Sequence, residues 1–492
     1  MEKQKPFYIT TTIPYVNAKP HLGHALEFVR ADALARYKAL TGYEVFLNTG
    51  TDEHGIKIYQ KAKEEGRDPK EYVDEFSENI RKMTEHLGMA TDVPGIKFNF
   101  IRTTDPKHIK AAQEFWKLCD SKGFIEKRIY KGLYCVSDEL FVAEKDLVNG
   151  RCPNHPEKDL VSIEEENYFF KASQFSEKLL EYYRDNPGFV VPESRFNEMK
   201  ALLERGLEDF SISRVKDKMP WGVPVPGDDT QVMYVWFDAL VNYIDAIGWP
   251  DDLESFQKWW PVTQYCGKDN TRQQSAMWQS MLLAAGLPLS KQIIVNGFVL
   301  GLGGVKMSKS LGNVVDPIEL IEKYGTDTLR YYVLREMNPF EDSAFSVEKF
   351  AESYNANLVN GLGNLVSRVM KMSEDFGIEY TPEQIEEVIG AQSEDIFTQW
   401  SDYRKAIEEF NFAMAMDVIW KEIQEADEHI QETQPFKVVK KNKEKAQEDV
   451  YTCVHRIIKV ALMLKPMLPS TTRKILRAVR ENKKPELLFP RM

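Results

Sequence analysis

Residues 7–55 read FYITTTIPYVNAKPHLGHALEFVRADALARYKALTGYEVFLNTGTDEHG, and the fold is decided there. Phe7 to Thr12 is a short β-favouring run, followed by a loop holding Pro14, Asn17, Pro20 and Gly23. Beyond it Leu26, Val29, Ala33, Tyr37 and Leu40 recur at helical spacing until Gly42, which suits a helix C-terminus. Val45 to Leu47 reads as a second strand ending in the polar loop Asn48-Thr49-Gly50-Thr51-Asp52-Glu53-His54-Gly55. Strand, loop, helix, strand is a βαβ unit whose polar residues collect at the C-terminal ends of the strands. In open α/β sheets that edge receives ligands.

Outward from this unit the chain changes character twice. The stretch 116–230 holds Cys135, Cys152, the acidic run Glu164 to Glu166 and the aromatic cluster Tyr168, Phe169 and Phe170, and it leaves through a proline-rich loop at Pro220 to Gly227. It reads as an insertion, because α/β alternation returns afterwards, with Val232 to Phe237 and Gln292 to Val295 as candidate strands. From about residue 350 strand signals fade. Leu358, Leu362, Leu365, Val366 and Val369 form one helical stripe, and Val454, Ile457, Ile458, Ala461 and Leu462 another, predicting a helical bundle. The expected organisation is therefore 1–115 and 231–300 as two halves of an α/β domain, 116–230 inserted between them, 301–349 as a linker module, and 350–492 as the bundle.

Composition bounds what the chain does. With 64 Lys+Arg against 76 Asp+Glu, the net charge of −12 argues against gripping nucleic acid through overall charge. The segment from Lys465 to Met492 is nevertheless basic. Five cysteines in 492 residues do not form a disulfide framework and point to a reducing compartment. No apolar run approaches the ~20 residues that span a bilayer, and the opening MEKQKPFYITTTIPY lacks a signal core, so no membrane association and a cytoplasmic protein are expected.

Two short motifs carry chemistry. His21-Leu22-Gly23-His24 opens the first helix, where free N–H groups and the helix dipole favour phosphate; Gly23 lets a nucleotide approach the backbone. Lys306-Met307-Ser308-Lys309-Ser310 follows the glycine-rich Gly301 to Gly304, placing two lysines on a loop able to close on charge developing as pyrophosphate departs. Either motif alone suits a plain helix start or a solvated loop. Together, in this order, they point to nucleotide activation.

With these motifs the chain resembles the class I aminoacyl-tRNA synthetases, and among them the methionyl family. The resemblance rests on Ile13-Pro14-Tyr15 before HLGH, TGTDEHG from Thr49, WGVPVP from Trp221, VWFDALVNY from Val235, Gly267-Lys268-Asp269, and Lys306 to Asn313. It implies an α/β fold: a Rossmann-type parallel-sheet catalytic domain with an inserted connective domain, followed by an α-helical anticodon-binding bundle. It also implies methionine activation by ATP with Mg2+, then transfer to tRNA(Met). Implied roles are ATP binding by His21, Gly23, His24, Lys268, Asp269, Lys306 and Lys309, with the two histidines and two lysines catalytic. A methionine site needs an apolar sleeve and a carboxylate for the α-ammonium; Ile13, Tyr15, Trp236, Ala239 and Tyr243 suit the sleeve and Asp52 the carboxylate. Asn270 and Gln274 complete the expected methionine site but depart from the family pattern, Gln274 standing where a pocket histidine is usual, and Asn296 likewise replaces a histidine.

In the insertion, Cys135-x-x-Asp138 and Cys152-x-x-His155 have knuckle spacing where relatives hold a structural zinc; one thiolate is replaced by Asp138, and a knuckle held by packing alone is the alternative. Cys119, Cys266 and Cys453 read as buried thiols. In the bundle, Asn364 and Arg368 share a helix face that suits reading anticodon base edges, and Phe436 offers a stacking face where relatives have tryptophan. The bundle ends the chain, which predicts a monomer. Rival readings are a class I synthetase for another amino acid and a non-catalytic tRNA-binding paralogue.

Overall fold

A computed structural model describes residues 4–90, 93–135, 140–142, 147–153, 157–305, 315–398 and 400–491. Its centre is a six-stranded, wholly parallel sheet built from β1 (Lys5–Thr10), β2 (Tyr43–Thr51), β3 (Ile96–Arg102), β4 (Val190–Val191), β5 (Val262–Gly267) and β6 (Gln292–Asn296). The spatial order is β3-β2-β1-β5-β6-β4. The chain runs outward to one side through β2 and β3, then returns to β1 from the other side through β5, where Tyr8 pairs with Val262 and Thr10 with Gln264. The β1/β5 boundary is therefore the topological switch point at which α/β sheets bind ligands.

Helix α1 (Leu22–Leu40) links β1 to β2 and is buried over most of its length, from Leu22 and then Ala25 to Tyr37. A helix enclosed this way must also bury its polar residues, and each is paired. Arg30 donates to Asn296 Oδ1 at 2.9 Å and to the carbonyls of Pro339, Met337 and Asn338 at 2.8–3.1 Å. Asp32, fully buried, accepts from Arg36 Nε at 2.7 Å, Arg330 Nη1 at 2.7 Å and the Ala90 N–H at 2.6 Å. Arg330, also fully buried, donates in turn to the carbonyls of Met467 at 2.7 Å and of Leu87 and Pro466 at 3.2 Å. One ionic cluster thus joins α1, the helix Thr326–Tyr331 and the turn between the last two helices of the bundle.

The expected βαβ unit is present, with shifted limits. Helix α1 starts at Leu22, and β2 runs on to Thr51, through Asn48, Thr49 and Gly50, which read as loop. The glycine is what the extension needs. A Cβ on Gly50 would lie 1.9 Å from the Ile101 carbonyl oxygen, so β2 and β3 pair only where no side chain intervenes. Val232 to Phe237 is not one strand. Strand Asp228–Met233 ends there and the helix Val235–Ala239 follows, an apolar run buried but for Trp236, in which periodicity cannot separate the two. That strand also lies outside the parallel sheet, pairing antiparallel with Pro224–Val225 and Ser213–Val215.

Within 116–230, a four-stranded antiparallel sheet in the order Leu140–Val142, Ile125–Cys135, Val161–Phe170, Phe210–Ser211 carries the acidic run and the aromatic cluster. The same stretch supplies β4, whose Val190 pairs with Ile293 of the central sheet. After Ser343–Ala344 every described element is helical. Both predicted apolar stripes are buried, although Tyr354–Gly363, which carries the first half of one stripe, is π-helical. One continuous apolar core runs from the α1 face of the sheet into this bundle. Among the described residues no helix is long and apolar enough to cross a membrane.

Candidate active site

At the C-terminal edge of the sheet, over the switch point, lies a cleft of about 390 Å³. Its walls come from the loop after β1 (Thr12 to Tyr15), the start of α1, Asp52 after β2, residues of the segment Val235 to Tyr243, Gly267, Asp269 and Asn270 at the end of β5, Gln274, and Asn296 to Val299 at the end of β6. All eight residues expected to form the amino-acid site line it: Ile13, Tyr15, Asp52, Trp236, Ala239, Tyr243, Asn270 and Gln274.

The start of α1 is built by its histidines. His21 is the N-cap, in extended backbone, and its Nδ1 accepts the Gly23 N–H at 3.1 Å. The His24 Nδ1 accepts the His21 N–H at 3.2 Å, a reciprocal capping box made of two imidazoles whose rings stack 3.8 Å apart. Because Nδ1 accepts in both, the neutral rings carry their proton on Nε2. Burial, then the neighbouring His21, pushes the His24 pKa well down, so it stays uncharged. Both histidines and Gly23 line the cleft.

The walls are tied together from behind. The loop after β1 and the end of β2 run side by side: Asp52 N–H donates to the Pro14 carbonyl at 2.9 Å, and Val16 N–H to the Asp52 carbonyl at 3.1 Å. Glu53, fully buried, accepts from Arg102 at 2.7 and 2.8 Å and anchors that edge. His54 Nδ1 lies 2.7 Å from Asp238 Oδ2, which joins the Asp52 loop to the short helix bearing Trp236 and Ala239.

Glu27, one turn after His24, also faces the cleft, and sequence reasoning missed it. Its Oε1 accepts from the Thr12 N–H at 2.6 Å and the Thr12 hydroxyl at 2.7 Å. Burial raises its pKa to about 8, partly offset by the Thr12 hydrogen bonds. The usable signal was an acidic residue three positions after His24 in an otherwise apolar run, which helical spacing puts on the histidine face. Thr12, Asn242 and Phe298 line the cleft as well.

The expected phosphate set is only partly assembled. Asp269 lines the cleft. Lys268 does not; its ammonium is held by Asp342 at 2.5 and 2.6 Å and lies 4.4 Å from the Phe298 ring centroid. Lys306 and Lys309 lie outside the described residues, as do Asp138 and His155 of the knuckle. Cys135 and Cys152 are both 1% exposed, a burial that suits thiolate ligands and packed thiols alike. Cys119, Cys266 and Cys453 are buried thiols. In the bundle, Asn364 is exposed and Arg368 is paired with Asp427 on the helix Phe412–Thr433. Phe436, 48% exposed, follows that helix after a left-handed turn at Gln434.

A parallel sheet with its switch-point cleft, and a helix opened by HLGH at the mouth, define the catalytic half of a class I aminoacyl-tRNA synthetase. The sequence profile of the family described as "tRNA synthetases class I (M)" matches residues 7–161 and 156–370, and that of the "anticodon binding domain of methionyl tRNA ligase" matches 381–487. Methionine–tRNA ligase of Thermotoga maritima is 39% identical over 487 residues, 97% of this chain and 76% of that one. The Brucella suis enzyme of the same name is 38% identical over 482 residues, 97% and 92% of the two chains. Mycobacterium tuberculosis methionyl-tRNA synthetase in complex with methionyl-adenylate superimposes with a TM-score of 0.86 at 35% identity, covering 96% of this chain and 93% of that one. The chain belongs to the methionine–tRNA ligase family.

Proposed function

We infer that the protein activates L-methionine with ATP to methionyl-adenylate and transfers the methionyl group to the 3′ end of tRNA(Met). The observation that carries this reading is the convergence of the apolar sleeve, the Asp52 carboxylate and the HLGH imidazoles on one cleft at the switch point. The amino-acid carboxylate is itself the nucleophile toward the α-phosphorus, so the protein's task is positioning and charge stabilisation. Asp52 pairs with the substrate ammonium, and Ile13, Tyr15, Trp236, Ala239 and Tyr243 surround its side chain. His21 and His24, neutral donors at a helix N-terminus, hold phosphate oxygens without adding charge that would have to be desolvated. Lys309 and Lys306 close on the departing pyrophosphate. Bound with the nucleotide, Mg2+ would supply neutralisation of phosphate charge beside these residues.

Asn364, Arg368 and Phe436 read the anticodon, and the 350–492 region is the anticodon-binding domain. Cys135, Asp138, Cys152 and His155 are the set that would hold a structural zinc ion; elemental analysis finding less than about a tenth of an equivalent overturns that assignment. The protein works as a cytoplasmic monomer. The experiment is methionine-dependent pyrophosphate exchange across the amino acids, followed by charging of tRNA. Exchange with a different amino acid, or tRNA binding without exchange, refutes the reading.

A further inference from the structure

Lys268 follows β5 directly, between Gly267 on one side and Asp269 and Asn270 on the other, and all three neighbours line the cleft. Its own ammonium is held outside by Asp342, whose two carboxylate oxygens take it at 2.6 and 2.5 Å. The Phe298 ring, a cleft wall, supports the same ammonium at 4.4 Å from nitrogen to centroid.

Asp342 is put there by the backbone, without help from the lysine. Strand Val299–Leu300, which continues the cleft wall after β6, pairs in parallel with Ser343–Ala344. The Ser343 N–H donates to the Phe298 carbonyl at 2.9 Å and the Phe345 N–H to the Leu300 carbonyl at 2.8 Å. Just before this pairing the two segments cross at Gly297, where a Cβ would lie 2.2 Å from the Glu341 carbonyl, so the close approach of Asp342 requires a glycine. The preceding turn is closed by Asn338, whose Oδ1 accepts the Phe340 and Glu341 N–H groups at 2.9 Å each. Asp342 Oδ1 also accepts the Phe298 N–H at 2.8 Å. Partial burial works against the Asp342 charge, but the Lys268 and Phe298 hydrogen bonds outweigh it and hold the carboxyl below its usual pKa. One fixed carboxylate thus serves the end of β5, the Phe298 wall and the root of the glycine-rich segment that leads to Lys306.

A lysine carries a point charge on a flexible four-carbon stem, so its ammonium can pass from one anion to another while the backbone stays in place. The side chains of Lys268 and Asp342 are 23% and 31% exposed, which makes their mutual hold weak. A triphosphate in the adjoining cleft carries several negative charges and is the stronger attractor. We infer that Asp342 is a positioning residue acting through Lys268: it stores the ammonium beside the cleft and yields it to the nucleotide phosphates, so that ATP binds in competition with this carboxylate. The inference deepens the proposed ATP-binding reading and rests on it. Asp342 does not itself line the cleft.

The test is the ATP KM in methionine-dependent pyrophosphate exchange, together with the ATP dissociation constant from equilibrium dialysis without methionine. Asp342→Asn keeps an oxygen for the Phe298 N–H and removes the charge. It is expected to lower both ATP constants by about three- to fivefold, the worth of a partly exposed ion pair, and to leave the methionine KM where it is. In the Lys268→Met background the same substitution is expected to change neither constant, because no ammonium is left to release. A purely structural role predicts another pattern, weaker ATP binding with or without Lys268. ATP constants that are unchanged or raised in Asp342→Asn, or a fall that persists in the Lys268→Met background, overturn the inference. Asp342→Ser supplies the same comparison if Asp342→Asn fails to fold. Wild-type protein that binds ATP without methionine-dependent exchange removes the activation reading instead, and the dialysis comparison then still decides the role of Asp342.

Discussion

The ionic cluster around Asp32 makes a quantitative prediction about how the catalytic and helical regions are held together. Asp32 accepts three hydrogen bonds, two on Oδ2 from Arg36 and Arg330 and one on Oδ1 from the Ala90 N–H. Asparagine has one accepting oxygen, so Asp32→Asn sets an NH2 group against either a backbone N–H or two guanidinium groups. It also leaves the Arg330 charge, at zero exposure, with only the more weakly acting Asp327 to oppose it. Burial already lowers the Arg330 pKa, and Asp32 is the largest influence opposing that. Breaking such a buried pair costs about 3–5 kcal/mol. The carbonyls of Met467, Leu87 and Pro466 still solvate the guanidinium partially, which places the expectation near about 3 kcal/mol. Arg330→Met removes the stranded charge while retaining most of the side-chain volume. The double variant is therefore expected to lose less than the sum of the two single losses, by about 2 kcal/mol or more. Urea unfolding followed by tryptophan fluorescence measures all four proteins. A loss below about 1 kcal/mol for Asp32→Asn, or strict additivity in the double variant, refutes the argument that this pair carries the docking of the bundle.

Three further outcomes are expected. Glu27 has a folded pKa of about 8 against 4.5, so the native state binds the proton more tightly than the unfolded chain. Stability falls as pH rises through that window, by on the order of 5 kcal/mol, whereas Glu27→Gln removes this component; parallel urea-midpoint curves for the two proteins between pH 5 and 8 count against it. Gly50→Ala forces a Cβ onto the Ile101 carbonyl, which is expected to cost about 1–3 kcal/mol and to raise KM for methionine by displacing Asp52; an unaltered KM contradicts the coupling. Lys309→Ala is expected to slow adenylation by orders of magnitude with little change in methionine affinity, since its contact forms mainly in the transition state. Unchanged exchange in that variant removes Lys309 from the mechanism.

What was legible in the sequence was mostly local or carried by motifs. The HLGH helix start could be read because capping is decided within four residues, and the structure adds only that the two imidazoles cap one another. The bundle's apolar stripes were legible because helical periodicity survives even where the backbone becomes π-helical. Strand β5 was not read, although it is the centre of the sheet. Its sequence Val262-Thr263-Gln264-Tyr265-Cys266-Gly267 mixes polar and apolar residues without alternation. Its polar members are tolerated because partners outside the strand satisfy them: Gln264 meets Gln274 and Ser290. Asp238 and His54 escaped for a similar reason, each acquiring its role only from the other at a separation of 184 residues. The residues of the amino-acid site came from family resemblance, which already encodes the tertiary placement that spacing alone lacks. Lys268 shows the limit of that transfer, since Asp342 competes for its charge.

The strand order has a consequence for synthesis on the ribosome. Strand β1 is translated about 250 residues before β5, and one of its edges stays open until residues 262–264 arrive to pair with Tyr8 to Thr10. At about 5–20 residues per second that interval lasts roughly 10–50 s, during which β1, β2 and β3 form half a sheet with a bare parallel edge. Chains released within that interval carry the apolar face of α1 and one unpaired edge of β1. An open strand edge beside exposed apolar surface is the combination that favours aggregation of incomplete chains.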